Sequence, residues 1–177
     1  GVDQRNQVHL TPLAHEHLVP NGEFYVGDYV RLDAESAGVM AMVERLRSNQ
    51  LAPAVEADAG AAFIFREGLD SAMESEQSAR RLTLALAGRA KNVAPVLAQK
   101  LSFGNETLLD VGGGTGIYAI ACLRQHPNLK AIIFDRPEVL KVADEFAQLY
   151  GVADRLTCHP GDMFADPLPT AENILLS

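Results

Sequence analysis

Residues Leu108 to Gly116, Leu-Leu-Asp-Val-Gly-Gly-Gly-Thr-Gly, constrain this chain more than any other stretch. An apolar run that closes on an acid and then meets Gly112, Gly113, Gly114 and Gly116 must turn sharply. Glycine lets a strand pass into a helix and lets a ligand lie against bare backbone without Cβ interference. The surrounding sequence alternates in the same way. Thr107–Val111, Ala131–Phe134, Arg155–His159 and Asn173–Leu176 are apolar runs of strand length, while Ile117–Gln125 and Glu138–Tyr150 carry helical spacing. Strand, helix, strand, helix, strand, loop, strand predicts an α/β fold, a parallel sheet with helices on its faces joined by right-handed crossovers. Four strands are expected, preceded by a mainly helical segment.

That upstream segment is less regular. Residues 8–30 carry Pro12, Pro20, Gly22 and Gly27 between short apolar pieces, which predicts loops and one short strand. From Asp33 onward, Val39, Met42, Val43 and Leu46 recur at helical spacing and stop before Pro53. A further helical run from about Phe65 to Leu101 offers Met73, Leu82, Leu86, Val93 and Leu97 as inward positions, and Gly88 and Pro95 predict at least one break in it. Met40 and Met42 are assigned to the core.

Charge and composition narrow the ligand. A net charge of -8 with no Lys/Arg cluster argues against nucleic acid, whose affinity rests on neutralised phosphates. No run approaches the roughly 20 apolar residues of a membrane span, and the N-terminus lacks the apolar stretch of a signal peptide, so a cytoplasmic location away from membranes is expected. Cys122 and Cys158 lie in no CxxC spacing and read as buried, reduced thiols. His15 and His17 stand two apart with no further ligand cluster, so no metal is expected. The partner should be a small molecule.

The glycine loop carries the chemistry. A GxGxxG fingerprint counted from Gly112 puts its third small position at Ile117, which weakens a nicotinamide reading. Asp110 at the strand end is awkward beside a pyrophosphate but suits the sulfonium and amino group of a cationic ligand, which points to S-adenosyl-L-methionine. Asp135, at the tip of the second strand, is placed to accept both ribose hydroxyls. Asp162 in Gly161-Asp162-Met163-Phe164 is placed to accept the adenine amine while Met163 or Phe164 covers the ring. Plainer readings stand beside each of these: a tight structural turn for Gly112–Gly116, a helix cap ahead of Arg136-Pro137 for Asp135, a turn residue for Asp162, and core packing for Met163 and Phe164. His126 reads as a helix C-terminal residue and His159 as a strand residue rather than as catalytic bases.

The segments LLDVGGGTG, IIFDRPEV and HPGDMF, in this order, resemble the S-adenosylmethionine-dependent O-methyltransferases that act on small molecules, the group of caffeic-acid, hydroxyindole and antibiotic-pathway enzymes. The resemblance covers residues 105–177 and implies a Rossmann-like methyltransferase sheet. Upstream, LTPLA and GDYVRL resemble the end of that family's winged-helix dimerisation domain and its linker, and Ala72-Met73 resembles its substrate-pocket helix, with Met73 as a lining residue. The implied division is 1–30 for the winged-helix remnant and linker, 31–104 for a helical substrate wall, and 105–177 for cofactor binding. The resemblance implies backbone contact with the cofactor around Gly112, Gly113, Gly114 and Gly116, ribose contact from Asp135, and adenine contact from Asp162 and Met163. Arg136 stands where the family often has Leu.

It also implies a general-base His after the strand resembling ENILLS, beyond Ser177, and a homodimer in the full-length protein. The chain is therefore expected to be a fragment that is inactive alone. Two other readings stay open: a nucleotide- or NAD-binding oxidoreductase domain, and a non-catalytic relative whose methyltransferase fold serves dimerisation or regulation.

Overall fold

The computed structural model describes residues 1–2, 4–20, 22–34, 37–49 and 76–177. Met73, and with it the expected substrate-pocket contact, lies outside the described residues.

The sheet is parallel, with β1 (Thr107–Val111), β2 (Lys130–Asp135), β3 (Leu156–Pro160) and β4 (Asn173–Leu176) in spatial order β3-β2-β1-β4. In register, Val111 faces Phe134 on one side and Leu176 on the other, and Asp135 faces Pro160. All four carboxyl ends therefore open on one edge. From β1 the chain runs one way to β2 and β3 and the other way to β4, which makes the gap between β1 and β4 the topological switch point where open α/β sheets leave a crevice.

Among the described residues there are seven α-helices. The crossovers are α6 (Ile117–Gln125) and α7 (Pro137–Leu149). On α7 the residues Val139, Leu140, Val142, Ala143, Phe146 and Ala147 are buried, the i, i+3, i+4, i+7 stripe of a helix laid on a sheet. Upstream come α1 (Pro12–Leu18), α2 (Gly27–Val30), α3 (Ala37–Ser48), α4 (Glu76–Ala90) and α5 (Ala94–Lys100), of which α2 and α3 precede, and α4 and α5 follow, the stretch outside the description.

The N-terminal stretch departs from the expected loops and strand. Thr11 caps α1, its Oγ1 accepting the Ala14 N–H at 3.1 Å with Pro12 at the first helical turn, and the extended pairing there is one bridge between Val2 and Val8. The helical run breaks at residues 91–93, ahead of Pro95, as proline demands. Gly88 does not break it. It packs against the α2 region inside the helix, where even a Cβ would make only ordinary contacts, 3.4 Å to the Tyr25 carbonyl oxygen and 3.6 Å to the Tyr29 side chain.

The buried face of α4 is mostly alanine: Ala79, Ala85, Ala87 and Ala90, with Leu82 and Thr83. Of the expected inward positions Leu82 is buried, Leu97 is half-buried, and Leu86 and Val93 are exposed. The face that α4 buries thus carries small side chains beside Leu82, and Leu86 lies off that face. Met40 and Met42 on α3 are exposed rather than core. Cys122 is buried, Cys158 is half-buried, and both are free thiols.

Candidate functional site

The loop between β1 and α6 needs its glycines for two different reasons. Gly112, Gly114 and Gly116 have φ of 70°, 59° and 70°, the left-handed region that costs other residues strain. Gly113 and Gly116 are fixed by packing as well: a Cβ on Gly113 would lie 2.8 Å from the Asp110 carboxyl carbon, and one on Gly116 would run into Cδ1 of Ile133. The Gly112 N–H donates to the Phe134 carbonyl at 2.8 Å, so the loop is anchored to β2 as it leaves β1.

Asp135 holds this loop from the side. Its Oδ2 accepts the Gly114 N–H at 2.9 Å and its Oδ1 accepts the Arg136 N–H at 2.7 Å. Burial pushes its pKa up, while the two backbone N–H groups and the Arg136 guanidinium pull it back. The N-cap of α7 is Arg136 and receives no side-chain cap, so Asp135 braces the loop rather than capping the helix in the usual manner. Each carboxylate oxygen keeps a further lone pair. Asp162 forms a tight turn, its Oδ1 accepting the Phe164 N–H at 2.9 Å and its own N–H donating to Asp166 at 2.8 Å. Both the turn reading and a free second oxygen are thus compatible with its geometry.

A cavity of about 660 Å³ opens above the strand ends. Gly112, Gly113, Gly114, Asp135, Arg136, Asp162, Met163 and Phe164 line it, together with Thr115, Phe134, Gly161 and Ser177. The opposite wall comes from α4, through Leu82, Thr83, Leu86, Ala87, Arg89 and Ala90. Phe164 is 87% exposed and belongs to the rim, not to the core.

Two expected site residues do not reach the cavity. Gly116 packs beneath the loop against Ile133. Asp110 is fully buried on the Leu108 side of β1, under Gly113, where Ser177 donates its hydroxyl to Oδ1 at 2.9 Å and the Ala119 N–H also favours the carboxylate, while Oδ2 meets no close hydrogen-bond partner among the described residues. Desolvation raises its pKa to about 6 in spite of the Ser177 hydrogen bond. Its expected place beside a sulfonium therefore becomes a place in the floor below the loop. The histidines take structural places: a His126 ring nitrogen lies 3.2 Å from the Ala98 carbonyl oxygen, and His159 stacks on Phe134 at 5.7 Å between centroids. Among the described residues no group could hold a metal ion.

Sequence reasoning expected a helical wall within 31–104 but missed Ser177 and, on α4, Thr83, Ala87, Arg89 and Ala90. Leu82 and Leu86 carried a signal, since both are inward assignments and both line the cavity, Leu86 facing it rather than the core.

The sequence profile of the O-methyltransferase domain matches residues 50–177, more than half of the chain. The chain belongs to the O-methyltransferase family. Among solved structures, this O-methyltransferase chain is similar to an O-methyltransferase family 2 protein of Planctomyces limnophilus in complex with apigenin, at 46% identity over 99% of this chain and 49% of that one, with a TM-score of 0.57. Among curated relatives it is 32% identical over 168 residues to the 3-hydroxy-5-methyl-1-naphthoate 3-O-methyltransferase of Streptomyces sahachiroi, covering 94% of this chain and 46% of that protein. Human N-acetylserotonin methyltransferase in complex with SAM shares the fold, at 21% identity over 94% of this chain and 47% of that one, with a TM-score of 0.65. The chain spans about half the length of the curated relatives it matches. Among the described residues no helix is long and apolar enough to cross a membrane.

Proposed function

We propose that this O-methyltransferase-family chain carries the cofactor half of an enzyme that moves the methyl group of S-adenosyl-L-methionine to a hydroxyl of a small aromatic molecule. The observation that carries this reading is Asp135, whose two oxygens are each fixed by one backbone N–H and keep a lone pair apiece at the mouth of the cavity. Two fixed acceptors at the end of the second strand suit the vicinal hydroxyls of a ribose. The glycine loop fits the same group, because bare backbone at Gly112 and Gly114 leaves the cavity floor clear of side chains.

In this reading Asp135 holds the ribose, Asp162 accepts the adenine amine, and Arg136, Met163 and Phe164 cover the base. Gly112, Gly113 and Gly114 present backbone, while Gly116 and Asp110 hold the loop from below. When bound, the cofactor supplies a methyl group already activated on a sulfonium. The protein then has to hold the acceptor oxygen in line, remove its proton and exclude water. The apolar wall of Leu82, Leu86, Ala87 and Ala90 serves the last of these. We assign the proton acceptor to a histidine outside residues 1–177 and Met73 to the acceptor pocket.

An aromatic acceptor is supported by the complex of the Planctomyces relative with apigenin and by the naphthoate named for the Streptomyces relative. We further propose the division 1–30, 31–104 and 105–177, a homodimer, and a cytoplasmic location. The exposed apolar residues of α1 and α3, among them Leu13, Leu18, Met40, Met42 and Leu46, support the dimer, and the two free thiols support a reducing compartment. Calorimetry of the purified protein with S-adenosylhomocysteine and with NAD tests the cofactor, and labelled methyl donor with a panel of phenols tests the reaction. Binding of S-adenosylhomocysteine alone and label transfer to a phenol are expected. Binding of NAD alone overturns the first part, and cofactor binding without transfer to any acceptor favours the non-catalytic reading.

A further inference from the structure

Thr83 is the polar side chain that α4 buries in an otherwise alanine and leucine face. It is 4% exposed, it lines the cavity, and its methyl carbon lies 3.9 Å from where a Cβ on Gly114 would stand. Inside a helix, threonine commonly returns its hydroxyl proton to the carbonyl one turn earlier. Ser48 does this in α3, donating to the Glu44 carbonyl at 2.7 Å. Thr83 makes no side-chain hydrogen bond to any described residue.

Unlike Asp110 Oδ2, the Thr83 oxygen is not sealed off without a partner, so a molecule in the cavity that Thr83 lines can reach it. If packing were its whole purpose, valine would fill the same space with no polar atom to desolvate. One turn away on α4 stand Ala79, Arg80, Leu86 and Ala87, and the Arg80 guanidinium is given to Glu145, so the cavity is where a pairing group can stand. What stands across from it is Gly114, whose N–H is already given to Asp135. The Thr83 methyl therefore stands against the glycine loop, and the side chain borders the same cavity as the ribose acid Asp135, not a separate acceptor pocket.

We propose that the Thr83 hydroxyl is a hydrogen-bond contact for the methyl donor held against Gly114, and that it is unpaired within the protein because that ligand is its partner. This rests on the cofactor reading given above. It also assigns a cofactor contact to the helical segment upstream of residue 105, so that α4 closes the site from the side opposite the sheet.

The test uses the opposite signs that a ligand contact and a structural role produce. In the purified protein, Thr83→Val should leave the thermal midpoint measured without ligand unchanged or raised, because the hydroxyl makes no hydrogen bond within the protein that its loss would break. The same variant should weaken S-adenosylhomocysteine about tenfold, which corresponds to about 1.4 kcal/mol. Thr83→Ser keeps the hydroxyl and should restore affinity to within about threefold of wild type, while melting lower for the lost methyl. Thr83→Val that binds as tightly as wild type, or that melts lower, overturns the proposal. Asp135→Ala measured alongside separates the two ideas. If the wild type fails to bind S-adenosylhomocysteine at all, the cofactor reading falls and this inference with it; if Asp135→Ala loses affinity and Thr83→Val does not, this inference alone falls.

Discussion

The Oδ2 oxygen of Asp135 accepts the N–H of Gly114 at 2.9 Å, which ties the end of β2 to the glycine loop after β1. One carboxylate thus shapes the loop and offers acceptors to the cavity. Asp135→Ala should weaken S-adenosylhomocysteine by about 1.5–3 kcal/mol, the range for hydrogen bonds to a charged group. Asp135→Asn keeps one oxygen acceptor and should fall between the two. Calorimetric titration reads both, and a loss of only a few tenths of a kcal/mol in the alanine variant would leave Asp135 with the loop-bracing role alone.

The sheet was legible because its signals are local. Thr107–Val111, Asn173–Leu176 and Ile117–Gln125 appear with the expected ends, and β2, β3 and α7 shift by a residue. The site was legible where a residue stands at the last position of a strand, as Asp135 does, or just past it, as Asp162 does. It misled at Asp110, which stands one residue earlier. Alternation along β1 puts Leu109 and Val111 on one face with Phe134, and Leu108 on the other. Asp110 shares the face of Leu108, so the pleat turns its carboxylate under the loop and away from the cavity. Which residues of α4 form the wall was hidden for another reason. Its buried face is alanine, which gives a weak apolar period, and what Leu86 faces depends on how α4 sits against the loop.

The buried carboxyl of Asp110 makes a prediction about pH. Its pKa stands at about 6, raised from 3.8 chiefly by desolvation. Between these values the folded protein binds a proton that the unfolded chain has released, so stability is highest at the acid side of the window and falls as pH rises through it. At about 1.36 kcal/mol per unit the full effect is on the order of 3 kcal/mol. Asp110→Asn removes the titration and can keep the Ser177 contact. Its stability relative to wild type should therefore rise steadily from about pH 4 to about pH 7 and level off above, as read by chemical denaturation at each pH. A difference between the two proteins that does not change with pH would show that Asp110 is not carrying a raised pKa.

The pair Arg80–Glu145 joins α4 to α7 through two contacts of 2.7 and 2.8 Å. Its geometry is bidentate, and Arg80 holds the Glu145 carboxyl below its ordinary range. Both side chains are about half exposed, at 44% and 54%, which sets the magnitude. Exposed pairs contribute about 0.2–1 kcal/mol and are screened by salt. Glu145→Ala should cost less than about 1 kcal/mol, with the loss shrinking in high salt and cofactor affinity unchanged. A loss of several kcal/mol in urea unfolding would mean that docking of α4 on α7 depends on charge rather than on the alanine face.

Gly116 and Ile133 provide a test of the packing beneath the loop. Gly116 caps α6 with φ 70° and ψ 17°, and its absent Cβ leaves the space taken by Cδ1 of Ile133, with Cγ1 at 3.2 Å from the same point. Two penalties therefore meet in Gly116→Ala: left-handed backbone in a residue with a Cβ, and overpacking against a buried side chain, together about 2–4 kcal/mol. Ile133→Val deletes the Cδ1 methyl and alone should cost about 0.5–1.5 kcal/mol. In the double variant the added and deleted methyls occupy the same space, so the combined loss should be smaller than the two losses taken separately, by about 1 kcal/mol or more. Urea unfolding of the four proteins measures that coupling. Strict additivity would assign the whole cost of Gly116→Ala to its backbone conformation, and the close approach of β2 to the loop would then have no part in keeping glycine at this position.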